Sequence, residues 1–77
     1  MSTMKIQVYC FATLSGYAPG DGQLDIHEGA TPEDVINRLS IPPQDVKVVF
    51  VNGRNQGRDV VLKENDRVGI FPAIGGG

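Results

Sequence analysis

Thr31-Pro32-Glu33-Asp34-Val35-Ile36-Asn37-Arg38-Leu39 is the stretch whose reading decides the fold. Thr31 can accept a hydrogen bond from a free first-turn N–H, and Pro32 falls where its missing N–H costs nothing. Glu33 and Asp34 place negative charge at the positive end of a helix dipole. Val35 and Leu39 stand four apart with Ile36 beside them, which makes one apolar stripe. Pro42-Pro43 then stops the helix just downstream. A helix this short is unstable alone and needs a sheet beneath it.

Strand patterns flank the helix on both sides. In Met4–Phe11, Ile6, Val8 and Cys10 share one face and Lys5, Gln7 and Tyr9 the other. Cys10 is therefore expected inside, as a small hydrophobe. Ala12 to Asp21 carries Gly16, Pro19 and Gly20 and reads as a loop, with turn chemistry concentrated at Pro19-Gly20-Asp21-Gly22. Leu24 and Ile26 alternate with Asp25 and His27 in a short second strand. Beyond the helix, Val46–Val51 is the most strand-like run, and Asn52-Gly53 favours left-handed angles and a tight reversal. Asp59–Leu62 reads as a short extended piece, Lys63–Asp66 as a polar turn, and Arg67–Phe71 as the last strand before Pro72.

One helix covering one face of a mixed sheet of about four to five strands gives a two-layer α+β domain. A ferredoxin-like layout would require a second helix. Residues 1–77 show no repeat and no internal boundary, so a single domain is expected.

Composition narrows the function. With 40 % hydrophobic and 21 % charged residues the chain belongs with folded globular proteins. A formal charge of -2, with the basic residues scattered, argues against a nucleic-acid partner. Arg54 and Arg58 read as a solvated turn. Cys10 is the only cysteine, so an internal disulfide is excluded. No apolar run approaches spanning length and the first residues carry no secretory pattern, so no membrane partner and a cytoplasmic location are expected.

The usual catalytic constellations are missing. His27 is the sole histidine, and its neighbours Asp25 and Glu28 lie too close along one strand to converge on a metal. Ser15, Thr13 and Ser40 have no histidine at a recognisable spacing. Asp59, Glu64 and Asp66 read as exposed turn residues, and the glycines form no phosphate loop.

The end of the chain is different. After Phe71-Pro72-Ala73-Ile74 it stops in Gly75-Gly76-Gly77. Glycines contribute no packing and lose the most entropy when ordered. Their useful property is thinness: a stretch without Cβ atoms can be drawn into another protein's active site and present its carboxylate there. By itself such a tail has two readings, a reactive end or a frayed one.

Larger pieces of the sequence resemble a known family. Phe11-Ala12-x-Leu14 follows the first strand, Thr31-Pro32-Glu33-Asp34-Val35 opens the helix, and Val51-Asn52-Gly53 makes the turn. Leu62-Lys63-x-x-Asp66-x-Val68 leads into the last strand, and Phe71-Pro72-Ala73-Ile74-Gly75-Gly76-Gly77 closes the chain. Together they resemble the ubiquitin-like sulfur carriers, above all the small subunit of molybdopterin synthase, with the thiamine-pathway carrier as a more distant relative.

The resemblance implies a β-grasp fold and a flexible tail over residues 73–77. It implies a carrier without turnover of its own, acting as the small subunit of a molybdopterin synthase complex. An adenylyltransferase related to ubiquitin-activating enzymes would spend ATP to make an acyl-adenylate on Gly77. A persulfide donor would then leave a thiocarboxylate there, and the large subunit of the synthase would take in the tail and use the sulfur for molybdopterin. Gly76 would form the thin approach, and Gly75, Pro72 and Phe71 would meet the partner; for Phe71 a place in the core is an equal reading. No cofactor would be bound permanently; the covalent sulfur would be the cargo. The same resemblance admits a carrier for thiamine or another thiolated product, or a protein modifier conjugated through Gly77.

Overall fold

The computed structural model describes residues 2–73. The deciding stretch winds into helix α1, Pro32–Arg38. Thr31 Oγ1 accepts from the Asp34 N–H at 3.3 Å, and Asp34 Oδ2 accepts from the Thr31 N–H at 2.9 Å. This reciprocal box satisfies two donors at once. The helix ends before Pro42-Pro43, for a reason local to Ser40. Ser40 sits at φ 62, its N–H donates to the Asn37 carbonyl and the Ile41 N–H reaches back to the Ile36 carbonyl. That is a Schellman closure with serine where glycine is usual. Ile41 is then carried into the core.

Five strands lie beside the helix: β1 Thr3–Cys10, β2 Gln23–His27, β3 Val46–Val51, β4 Arg54–Gln56 and β5 Arg67–Pro72. Their order is β2-β1-β5-β3-β4. The two terminal strands, β1 and β5, pair in parallel at the centre, and every other neighbouring pair is antiparallel. Period-two alternation holds along the central strands. Met4, Ile6 and Val8 of β1 and Val68 and Ile70 of β5 are buried, and they form one cluster with Val35 and Ile36 of the helix. Cys10 is half-buried and packs against the same cluster, as its face predicts.

The chain differs from its sequence reading in three places. Residues 12–21 are not uniformly loop: Ala12–Tyr17 forms a 3-10 turn that buries Leu14. Asp59–Leu62 contains no strand. Its Leu62 is buried and its Val61 exposed, and the Leu62 N–H donates to the Ala30 carbonyl beside the helix at 2.8 Å instead of entering the sheet. The strand that follows β3 is Arg54–Gln56, reached through Asn52 at φ 54 and Gly53 at φ 84. Two consecutive left-handed residues make the hairpin turn that matches strand twist. The edge strand was hidden because Arg54, Asn55 and Gln56 carry no apolar signal.

Among the described residues no helix is long and apolar enough to cross a membrane.

Candidate functional site: the open sheet face and the start of the tail

Alternation that sends one set of side chains to the helix sends the other to the open face of the sheet. On β5 that second set is Arg67, Gly69 and Phe71; on β1 it includes Tyr9, with Phe11 just beyond the strand end. Phe11 is held in line by its N–H, which donates to the Ile70 carbonyl at 3.1 Å. Its ring stacks on Phe71 with centroids 4.3 Å apart and planes inclined by 8°. Phe50 of β3 meets Phe71 edge-on, at 5.4 Å and 66°.

Gly69 lies beneath this arrangement. A Cβ at residue 69 would lie 3.4 Å from Phe11 Cε2 and 3.6 Å from Phe71 Cε1. An alanine there would rest against the rings in ordinary van der Waals contact. The arrangement leaves a shallow apolar groove of about 340 Å³ floored by Gly69 and the three rings, with Tyr9, Asn52 and Arg67 at its rim. Tyr9 and Phe11 remain 45 % and 41 % exposed, which marks this face as unfinished by the chain's own packing.

Phe71 also borders a second groove, of about 390 Å³, with Lys47, Val48, Pro72 and Ala73. The two grooves share Phe71, which links the aromatic cluster to the last described residue. Pro72 is buried opposite Val46. Ala73, where the expected tail begins, donates its N–H to the Asp45 carbonyl at 2.8 Å. Of the expected site residues, Phe71 and Pro72 sit at this junction. Phe71 is half-buried and on the open face of the sheet, whereas Pro72 turns inward. Gly75, Gly76 and Gly77 lie outside the described residues.

Phe11, Phe50 and Tyr9 escaped the sequence reading as site residues. The usable signal was parity: Tyr9 and Phe71 fall on the polar face of their strands, where a large aromatic has no core to enter. Phe50 was masked by the run Val48-Val49-Phe50-Val51, in which both faces look apolar.

The remaining candidates carry no chemistry of this kind. His27 is exposed and its Nε2 lies 3.7 Å from Asp34 Oδ2. Among the described residues no group of three or more His, Cys, Asp or Glu could hold a metal. Burial pushes the Cys10 thiol up, which keeps it protonated and a poor nucleophile. Arg58, read from sequence as part of a solvated turn, is instead half-buried and donates to two backbone carbonyls.

A five-stranded sheet with parallel terminal strands and one helix across it defines a ubiquitin-like β-grasp protein. Solved structures agree. A Haloferax volcanii protein, HVO 2177, superposes with a TM-score of 0.74 at 24 % identity, over 97 % of this chain and 88 % of its own. A proposed molybdopterin converting factor subunit 1 from Pyrococcus furiosus has a TM-score of 0.67 at 30 % identity, over 92 % of this chain and 99 % of its own. The small archaeal modifier protein 1 of Haloferax volcanii has a TM-score of 0.69 at 18 % identity, over 92 % of this chain and 99 % of its own. No curated protein matches. The pattern of the ThiS family matches residues 8–77, and the chain belongs to that family.

Proposed function

We propose that the chain is a sulfur carrier for molybdopterin synthesis and that its reacting group is the carboxylate of Gly77. The observation that carries this reading is the family match, which runs through residue 77 and so includes the glycine end. The similarity to the Pyrococcus furiosus converting factor, at 30 % identity over nearly the whole of both chains, supports molybdopterin as the pathway.

The chemistry follows from what a carboxylate needs. It is a poor electrophile until an oxygen is made a leaving group. Attack of the Gly77 carboxylate on the α-phosphorus of ATP gives an acyl-adenylate and releases pyrophosphate. The terminal sulfur of a persulfide then displaces AMP, and a thiol cleaves the remaining S–S bond to leave the thiocarboxylate. All of this takes place in partners: an adenylyltransferase, a persulfide donor, and the large subunit that consumes the sulfur. The chain's own share is to be recognised and to deliver its end. The aromatic face suits recognition, because exposed aromatic rings beside a groove are the usual anchors of protein interfaces. Gly75 and Gly76 suit delivery, because backbone without side chains passes a narrow channel.

Removing Gly76-Gly77 tests the reading. Pterin-dependent activity in cells lacking the native gene should vanish with the truncated chain while its circular dichroism stays that of the full chain. Survival of activity would sink it.

A further inference from the structure

We propose that Arg58 is a positioning residue for the C-terminal segment, acting through the Asp45 carbonyl that holds Ala73. Its Nη2 donates to the Pro43 carbonyl at 3.1 Å and to the Val46 carbonyl at 2.7 Å. Those two carbonyls belong to the first residue of the short 3-10 turn Pro43–Asp45 and to the first residue of β3. The turn is also closed internally, by Asp45 N–H to the Pro42 carbonyl at 2.9 Å and by Val46 N–H to the Pro43 carbonyl. With the peptide planes on both sides held, the Asp45 carbonyl has one direction left, and it receives the Ala73 N–H at 2.8 Å.

Arg58 is in turn tied to the helix. Its own carbonyl accepts from the Glu33 N–H at 3.1 Å, and its Nη1 stands 3.8 Å from Glu33 Oε1. A path of contacts therefore runs from the first turn of α1 through Arg58 and the Pro43–Asp45 turn to the residue where the glycine-bearing end departs. A planar guanidinium can hold two carbonyls in fixed geometry, which a flexible ammonium does less well. The register of β3 against β5 is irregular between Val46 and Val48, beside Pro72. The pairing is offset there, and the Arg58 bond to the Val46 carbonyl adds a constraint at the same point.

The consequence for delivery of Gly77 rests on the carrier reading, and the exit geometry itself does not. A tail whose departure is fixed reaches a partner's channel with less orientational searching, so the effect belongs in KM and not in the chemical step. The test uses full-length, isotopically labelled protein as wild type, Arg58→Met and the milder Arg58→Lys. Amide exchange at Ala73 should accelerate by about tenfold or more in Arg58→Met and by less in Arg58→Lys, with the β1–β5 amides Tyr9 and Cys10 unchanged. Exchange at Ala73 equal to wild type in both variants would overturn the proposal.

The second arm is ATP–pyrophosphate exchange by the cognate adenylyltransferase with Arg58→Met, Ala73→Pro and the double variant. Ala73→Pro deletes the donor without touching Arg58. Each single change should raise KM for the chain about fivefold with kcat nearly constant, and the double variant should be no worse than either. Additive effects would show that Arg58 does not act through Asp45 and Ala73. Absence of exchange with the wild-type chain would instead count against the carrier reading, leaving the Ala73 result to stand separately.

Discussion

At the scale of single residues, the side chain that titrates most informatively is Cys10. Its thiol is pushed up by burial, so as pH rises the unfolded chain loses this proton before the native one does. The stability it contributes is complete below the ordinary thiol range and is lost as pH climbs through the folded value. Urea midpoints from about pH 7 to about pH 10 should therefore fall more steeply for wild type than for Cys10→Ala. Parallel curves would show that the thiol is not buried in solution. The inward face of Cys10 was legible from alternation alone, because period two needs only sequence. The role of Arg58 was not. Its partners are the carbonyls of Pro43 and Val46, 15 and 12 residues away, and a backbone carbonyl has no sequence signature.

At the scale of elements, the β3–β4 turn shows how one residue can fix two strands. Asn52 occupies φ 54, where asparagine is tolerated better than most side chains. Its Nδ2 also donates to Asp66 Oδ1 at 2.9 Å, and its Oδ1 accepts from the Arg67 N–H at 3.0 Å. Asp66 in turn accepts from the Lys63 N–H at 2.8 Å, so the turn is buttoned to the entrance of β5. Asn52→Ala should cost about 1–3 kcal/mol in chemical denaturation, the sum of lost hydrogen bonds and left-handed strain. Asn52→Gly should cost less, since it loses only the bonds. Equal losses would mean that backbone strain is irrelevant. The turn itself was readable as Asn-Gly. The strand after it was not, because an edge strand pairs on one side only and does not need an apolar residue. The apolar Val60-Val61-Leu62 looked more strand-like, yet the Leu62 N–H donates to the Ala30 carbonyl just ahead of the helix instead.

At the scale of the whole molecule, one sheet divides the labour. Its inner face and the helix supply the core, while its open face is left apolar over Gly69 and linked through Phe71 to the chain's exit at Ala73. The helix stripe, the central strands and the family likeness of the glycine end could all be read in the sequence. Parity marks Tyr9 and Phe71 as outward, but the clustering of Phe11, Phe50 and Phe71 was not legible, because these rings come together only through the parallel pairing of β1 with β5 and the antiparallel pairing of β5 with β3. Phe11, exposed and outside the core, is the side chain to remove. Phe11→Ala should weaken binding to the adenylyltransferase by about tenfold or more in calorimetry, at a stability cost of about 0.5–1.5 kcal/mol from the lost stack. Unchanged affinity would place the partner on another surface.

The central claim is that Gly77 carries sulfur, and the intact mass of the chain coexpressed with its adenylyltransferase and a persulfide donor addresses it most directly. A synthetic thiocarboxylate peptide carried through the same purification controls for hydrolysis. The account predicts a mass gain equal to exchange of one oxygen for sulfur, placed on Gly77 by fragmentation and absent when Gly77 is deleted. A terminus that remains an ordinary carboxylate while the control peptide survives would contradict it.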